Sequence, residues 1–202
     1  MNQDFNAAYW QQRYQQNETG WDVGGITPPL KHYFDQLKNK NQRILIPGCG
    51  NAYEAEYLHK NGFRNVYVAD VAEAPLQNLL DRVSGFQEEH LLHQDFFALE
   101  GTYDLVVEQT FFCALDPSLR PAYARKCAEL LQLKGILMGL LFDTTFEKDG
   151  PPFGGSREEY ETYFAPYFDF LHFDTAYSSI PPRQGKELFI ELKSLGVREL
   201  KS

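Results

Sequence analysis

The stretch Arg43 to Tyr53, RILIPGCGNAY, runs a short apolar strand into Gly48-Cys49-Gly50, and the next strand, NVYVAD, ends on Asp70. A glycine turn lets a ligand lie against bare backbone. An acid at the tip of the following strand can accept from both hydroxyls of a ribose. Together they imply an adenosine-containing cofactor. The dinucleotide-binding version of this arrangement wants G-x-G-x-x-G, and here Tyr53 stands at the third glycine position. No Ser/His/Asp or Cys/His set stands out for covalent catalysis. His90 and His93, three apart on an expected strand, face opposite sides and do not converge on a metal.

These residues need a frame. Residues 4–16 read as a helix with Asp4 as N-cap, and Pro28-Pro29 open a second helix through about Leu37. A βα alternation follows: strand 43–46, a helix from about Ala52 to Lys60 closed by Gly62, strand 65–70, and a helix carrying Leu76, Leu79, Leu80 and Val83 on one face. A third strand fits 88–94, just before Asp95-Phe96. YDLVVE (103–108) is apolar on both faces, as an interior parallel strand is. A helix spans Pro117 to Leu131, Gly135 starts a long apolar strand, a helix falls near Ser156–Phe164, and strands near 168–175 and 187–193 form an antiparallel edge pair. The sum is an α/β fold: a doubly wound, mostly parallel seven-stranded sheet with an N-terminal helical flap. One domain covers 1–202, with the flap in 1–40, the core in 41–193 and a frayed tail in 194–202.

Composition narrows the function. At 202 residues and 43% apolar, the chain can bury a sizeable core. No apolar run approaches the roughly 20 residues that cross a bilayer, and the N-terminus lacks signal-peptide character. A formal charge of −9 disfavours nucleic acid. Cys49, Cys113 and Cys127 are odd in number and widely spaced, which fits a reducing cytoplasm. Monomer is the default state.

The ordered series TGWDVGGITPPL, ILIPGCGNAYEAEYL, EQTFFCALDPSLRPAYARKCAELL, GPPF and IPPRQGKE resembles the class I S-adenosylmethionine-dependent methyltransferases. Within them it is similar to the thiopurine methyltransferase family, particularly its thiol and halide methyltransferase branch. That resemblance implies a Rossmann-like fold with S-adenosylmethionine as cofactor. It implies cofactor contacts at Trp10, Tyr14 and Trp21 in a flap, at Gly48 in the turn, at Asp70 for ribose, at Asp95 and Phe96 for adenine, and at Gln109 after the fourth strand. The branch often carries Trp where Tyr14 stands, and relatives often carry Tyr where Gln109 stands.

For the acceptor, the resemblance implies a pocket wall from Pro151, Pro152 and Phe153, enclosed from the flap side by Thr27 and Pro28. Arg183 is either an attractor for an anionic substrate or a surface charge, and Glu108 is either a polar group at a strand tip or part of the pocket. Asp22 and Asp143 are candidate proton acceptors, each with a structural alternative. Asp70 and Asp95 have capping alternatives. The expected activity is methyl transfer to the sulfur of a small thiol, or to a halide. The competing readings are an NAD-type oxidoreductase and a non-catalytic cofactor-binding domain, which fold alone does not separate.

Overall fold

The computed structural model describes residues 5–196. Asn6 caps the first helix, α1 (Ala7–Gln15), by accepting from the Tyr9 backbone amide at 3.1 Å; the expected cap, Asp4, lies outside the described residues. Helix α2 (Pro28–Gln36) starts on its two prolines, whose fixed φ suits a first turn. Then come β1 (Ile44–Pro47), α3 (Tyr53–Lys60), β2 (Val66–Asp70), α4 (Glu73–Arg82), β3 (Leu91–His93), β4 (Tyr103–Gln109), α5 (Arg120–Leu130), β5 (Leu131–Phe142), α6 (Arg157–Phe164), β6 (Phe168–Thr175) and β7 (Glu187–Ser194).

The seven strands lie in one sheet in the order β3-β2-β1-β4-β5-β7-β6. β1 to β5 pair in parallel, while β7 runs antiparallel to both β5 and β6. The sheet is therefore mixed, with one strand reversed. Alternation along the strands feeds two cores. Ile44, Ile46, Leu105 and Val107 pack with Leu30 and Phe34 of α2, Leu58 of α3 and Leu79 of α4, whereas Leu45, Val106 and Leu137 pack with Tyr123 and Cys127 of α5 and Phe164 of α6. Each fully buried Leu or Phe contributes about 1.5–3 kcal/mol of apolar burial.

Three local expectations change. The third strand keeps only Leu91–His93, because Glu88–His90 wind into a 3₁₀ turn. β5 begins at Leu131, directly after α5, and reaches its main register through an irregularity opposite Tyr103/Leu105, with Lys134 left-handed at φ 67°. Ser194 belongs to β7, buried and paired with Phe168, so the expected tail starts too early; residues 197–202 lie outside the described set.

Crossovers between parallel strands place the loops after β1, β2 and β4 at one edge of the sheet. α1 lies at that edge. It has no buried residue of its own, and its Gln11 side chain accepts from the Glu73 and Ala74 amides at 3.0 and 3.1 Å, capping α4. The reversed strand brings the start of β7 back there too, Glu187 opposite Phe142.

Candidate active site

A cavity of about 890 Å³ opens at the carboxyl ends of the parallel strands, a size suited to a cofactor with a small second molecule. Its floor is the turn after β1. Gly48 is left-handed (φ +55°), and a Cβ there would run into the Phe111 ring. Ala52 holds a left-handed φ of 53° without glycine, a strain of about 1–2 kcal/mol. The Cys49 amide donates to the Ala69 carbonyl at 3.1 Å, tying the turn to β2.

Asp70 ends β2, almost wholly buried, and accepts from the Gly50 amide at 3.2 Å and the Ala72 amide at 2.9 Å. Burial pushes its carboxyl up to about 6 against the pull of those amides. Asp70 is not the N-cap of α4, which is Ala72; its carboxylate holds the Ala72 amide ahead of the helix and lines the cavity.

Trp10, Tyr14 and Trp21 form the roof. Trp21 meets the other two rings edge-on, at centroid distances of 5.4 and 5.7 Å, and the Tyr14 hydroxyl lies above Gly50. Phe96 and Gln109 also line the cavity, and the buried Gln109 Oε1 has no partner. An orphaned acceptor in a cavity wall asks for a donor from a ligand. The Asp70 carboxylate, the bare backbone at Gly48, the aromatic faces and this free acceptor fit an adenosine with an attached amino-acid cation. Asp95 lies outside the lining; its Oδ1 accepts from the Phe97 amide at 2.7 Å and caps the turn at 96–98.

The acceptor-side residues divide. Pro151, Pro152 and Phe153 line the cavity, and Phe153 meets Phe5 edge-on at 5.7 Å. Arg183 also lines it and is buried, which removes the surface-charge reading. Its guanidinium donates to the Trp21 carbonyl at 2.9 Å and to Glu187 at 3.4 Å, and lies over the Phe142 ring. Thr27 and Pro28 lie outside the lining because they begin α2, with Thr27 sealed against the core.

The candidate proton acceptors separate as well. Asp143 lies outside the lining and accepts from the Arg157 amide at 3.1 Å, at the start of α6. Asp22 lines the cavity, but its oxygens are taken by the Gly24 amide at 2.7 Å, the Asn51 side chain and the Tyr53 hydroxyl. Glu108 is fully buried outside the lining, accepting from the Phe111 and Phe112 amides at 2.8 and 2.9 Å and the Tyr123 hydroxyl at 2.5 Å. Burial outweighs these bonds and raises its carboxyl to about 7. Burial also raises the Cys49 and Cys113 thiols above their usual range, the opposite of nucleophile activation.

Glu54 was not singled out by sequence reasoning. It lines the cavity from the first turn of α3 at 5% exposure, and its carboxyl is raised to about 7, chiefly by burial. An acid one turn beyond a cofactor glycine loop was the only available signal. Among the described residues, no group of three or more His, Cys, Asp or Glu side chains is placed to hold a metal. His90 packs on Tyr67, and His93 Nε2 contacts the Val71 carbonyl at 3.1 Å.

Residues 5–195 match the family model of thiopurine S-methyltransferase. A probable thiol methyltransferase 2 of Arabidopsis thaliana is 30% identical over 188 residues, covering 90% of this chain and 83% of that protein. A thiopurine S-methyltransferase of Psychrobacter cryohalolentis is 27% identical, covering 81% of this chain and 86% of its own. Among solved structures, a Synechocystis magnesium protoporphyrin IX methyltransferase with bound S-adenosylmethionine superposes with a TM-score of 0.72 at 14% identity, covering 95% and 98% of the two chains, a likeness of fold. Glycine turn, strand-end acid, aromatic roof and family match agree, and they leave the dinucleotide oxidoreductase reading without support. The chain belongs to the thiopurine S-methyltransferase family, whose cofactor is S-adenosylmethionine.

Proposed function

We propose that this protein methylates the sulfur of a small thiol, such as bisulfide or a compact aromatic thiol, with halide as a second acceptor class. The observation that carries this reading is the shared cavity. A stiff apolar wall, Pro151 to Phe153, and a buried cation, Arg183, face the same space as the cofactor residues. S-adenosylmethionine supplies a methyl carbon made electrophilic by its sulfonium.

The chain's residues do the rest. Asp70 holds the ribose hydroxyls, Phe96 faces the adenine with Asp95 keeping its turn in place, and Gln109 contacts the cofactor from the end of β4. Trp10, Tyr14 and Trp21 cover the sulfonium and exclude water. Arg183 draws in an anionic or acidic acceptor, and Pro152 and Phe153 limit its size. In-line attack on carbon needs alignment more than covalent help. Soft anions need no base at all.

The relatives' names point the same way, since they include thiol and thiocyanate methyltransferases. Residues 1–202 are proposed to act as one unit, a monomer, in a reducing compartment such as the cytoplasm; the three cysteines are free and buried. No helix among the described residues is long and apolar enough to cross a membrane.

Methyl transfer from labelled cofactor to bisulfide, a thiophenol and iodide tests the proposal. Turnover of a thiol above oxygen and nitrogen nucleophiles is expected. Preference for an amine or a hydroxyl would overturn it, and tight cofactor binding with no transfer to any acceptor would favour a sensor.

A further inference from the structure

We propose that Glu54 is the proton acceptor for thiol substrates: it takes the proton from the acceptor's S–H as sulfur attacks the methyl carbon. This rests on the S-methylation reading and names a residue for it.

The geometry makes the case by exclusion. Three other acids of the cavity lining, Asp22, Asp70 and Asp116, are engaged by hydrogen bonds; Asp149 lines it from an exposed loop, and Glu108 and Glu187 lie outside the lining. Asp70 accepts from two amides, Asp22 from Gly24, Asn51 and Tyr53, Glu108 from two amides and Tyr123, and Glu187 from Arg183. Glu54 is buried, and no other described residue donates a hydrogen bond to its carboxylate. Its own backbone amide is its one protein donor, so the carboxylate keeps capacity to accept from a donor inside the cavity that it lines.

The charges around it suit a proton acceptor. Arg183, from the turn before β7, favours the ionised form; Asp22, from the flap, opposes it. Cys49 of the glycine turn faces it as a neutral thiol, and Glu187 balances Arg183 from behind. Burial dominates and brings the carboxyl to about 7, well matched to accepting from a thiol at neutral pH. In the step, the acceptor's sulfur–carbon bond forms and its S–H proton passes to Glu54. The carbon–sulfonium bond breaks, its electron pair staying on the cofactor sulfur. Glu54 later returns the proton to water. Iodide and thiocyanate carry no such proton and bypass Glu54.

The test compares acceptors in wild type, Glu54→Gln and Glu54→Asp. Near pH 6.5, with an alkyl thiol, Glu54→Gln should lower the ratio of thiol to iodide turnover by roughly 10²-fold, the low end for a general base. Glu54→Asp should restore part of that ratio. The wild-type thiol profile should bend near neutrality and the iodide profile should not. Infrared titration of the protein without substrate should show a carboxyl losing its proton near pH 7 that Glu54→Gln lacks, and calorimetry with S-adenosylhomocysteine should give similar affinities. An equal fall for both acceptors, or an unchanged ratio, overturns the role of Glu54 alone. A wild type that binds S-adenosylhomocysteine but methylates no thiol overturns the S-methylation reading instead.

Discussion

The Arg120 guanidinium, fully buried on α5, donates to the Phe153 carbonyl at 3.3 Å and thereby grips the acceptor-side loop from beneath. It also donates to the Gly154 carbonyl at 2.9 Å, pairs with Glu159 at 3.0 Å and lies against the Phe112 and Tyr160 rings. Arg120→Met removes three hydrogen bonds and leaves two carbonyls short of donors, so it should cost about 3 kcal/mol in urea unfolding. The KM for the acceptor should rise several-fold while the dissociation constant for S-adenosylhomocysteine stays near wild type. Equal losses in both would show that Arg120 supports the whole core and not this loop.

Asp70 predicts a pH dependence of cofactor binding. Its folded carboxyl sits near 6, raised by burial, and only the ionised form accepts from both ribose hydroxyls. Affinity for S-adenosylhomocysteine should hold above about pH 7 and fall up to tenfold per pH unit well below 6. Binding near pH 6 should release protons, visible in calorimetry as a buffer-dependent heat. Asp70→Ala should weaken binding by about 1.5–3 kcal/mol and abolish the pH dependence; near-wild-type affinity would remove Asp70 from the ribose.

At Gly48 the backbone and a side chain compete for the same space. Alanine there combines a strained φ with a clash against the Phe111 ring. Gly48→Ala should lower stability by at least about 1 kcal/mol and reduce cofactor affinity more than tenfold. Thermal melts with and without S-adenosylhomocysteine would show it as a lost ligand-induced shift.

Glu108 should tilt stability with pH. Its carboxyl titrates near 4.5 when unfolded and near 7 when buried, so the folded protein holds more protons in between. Stability therefore falls as pH rises through that window and levels off above it. Glu108→Gln should remove this contribution to the slope. Urea midpoints for both proteins between pH 4.5 and 8 measure it, and parallel curves would contradict it.

How much of this was readable in the chain depends on the range of the interaction. The glycine turn, the strand-end Asp70 and the Pro28-Pro29 helix start are local signals, and each element falls within two residues of its expected place. The start of β5 was hidden because Leu130 and Leu131 suit a helix stripe as well as a strand. Arg183 looked equally like a surface charge, since its partner Trp21 lies 162 residues away. Asp95, Thr27 and Pro28 were placed by resemblance, and the local demands of caps and helix starts hold them outside the cavity lining. Glu54 carried no pattern of its own; only its burial in the cavity wall marks it.

The reversal of β7 has a consequence for biosynthesis. By turning back, the chain delivers Arg183 to the carbonyl of Trp21, 162 residues earlier. A ribosome-bound product stalled before residue 180 already carries the glycine turn and the strand-end acid, yet lacks the bracket between the turn before β7 and Trp21. Cofactor offered to such a fragment meets a half-built vessel, so competence waits until Arg183 and β7 have been made.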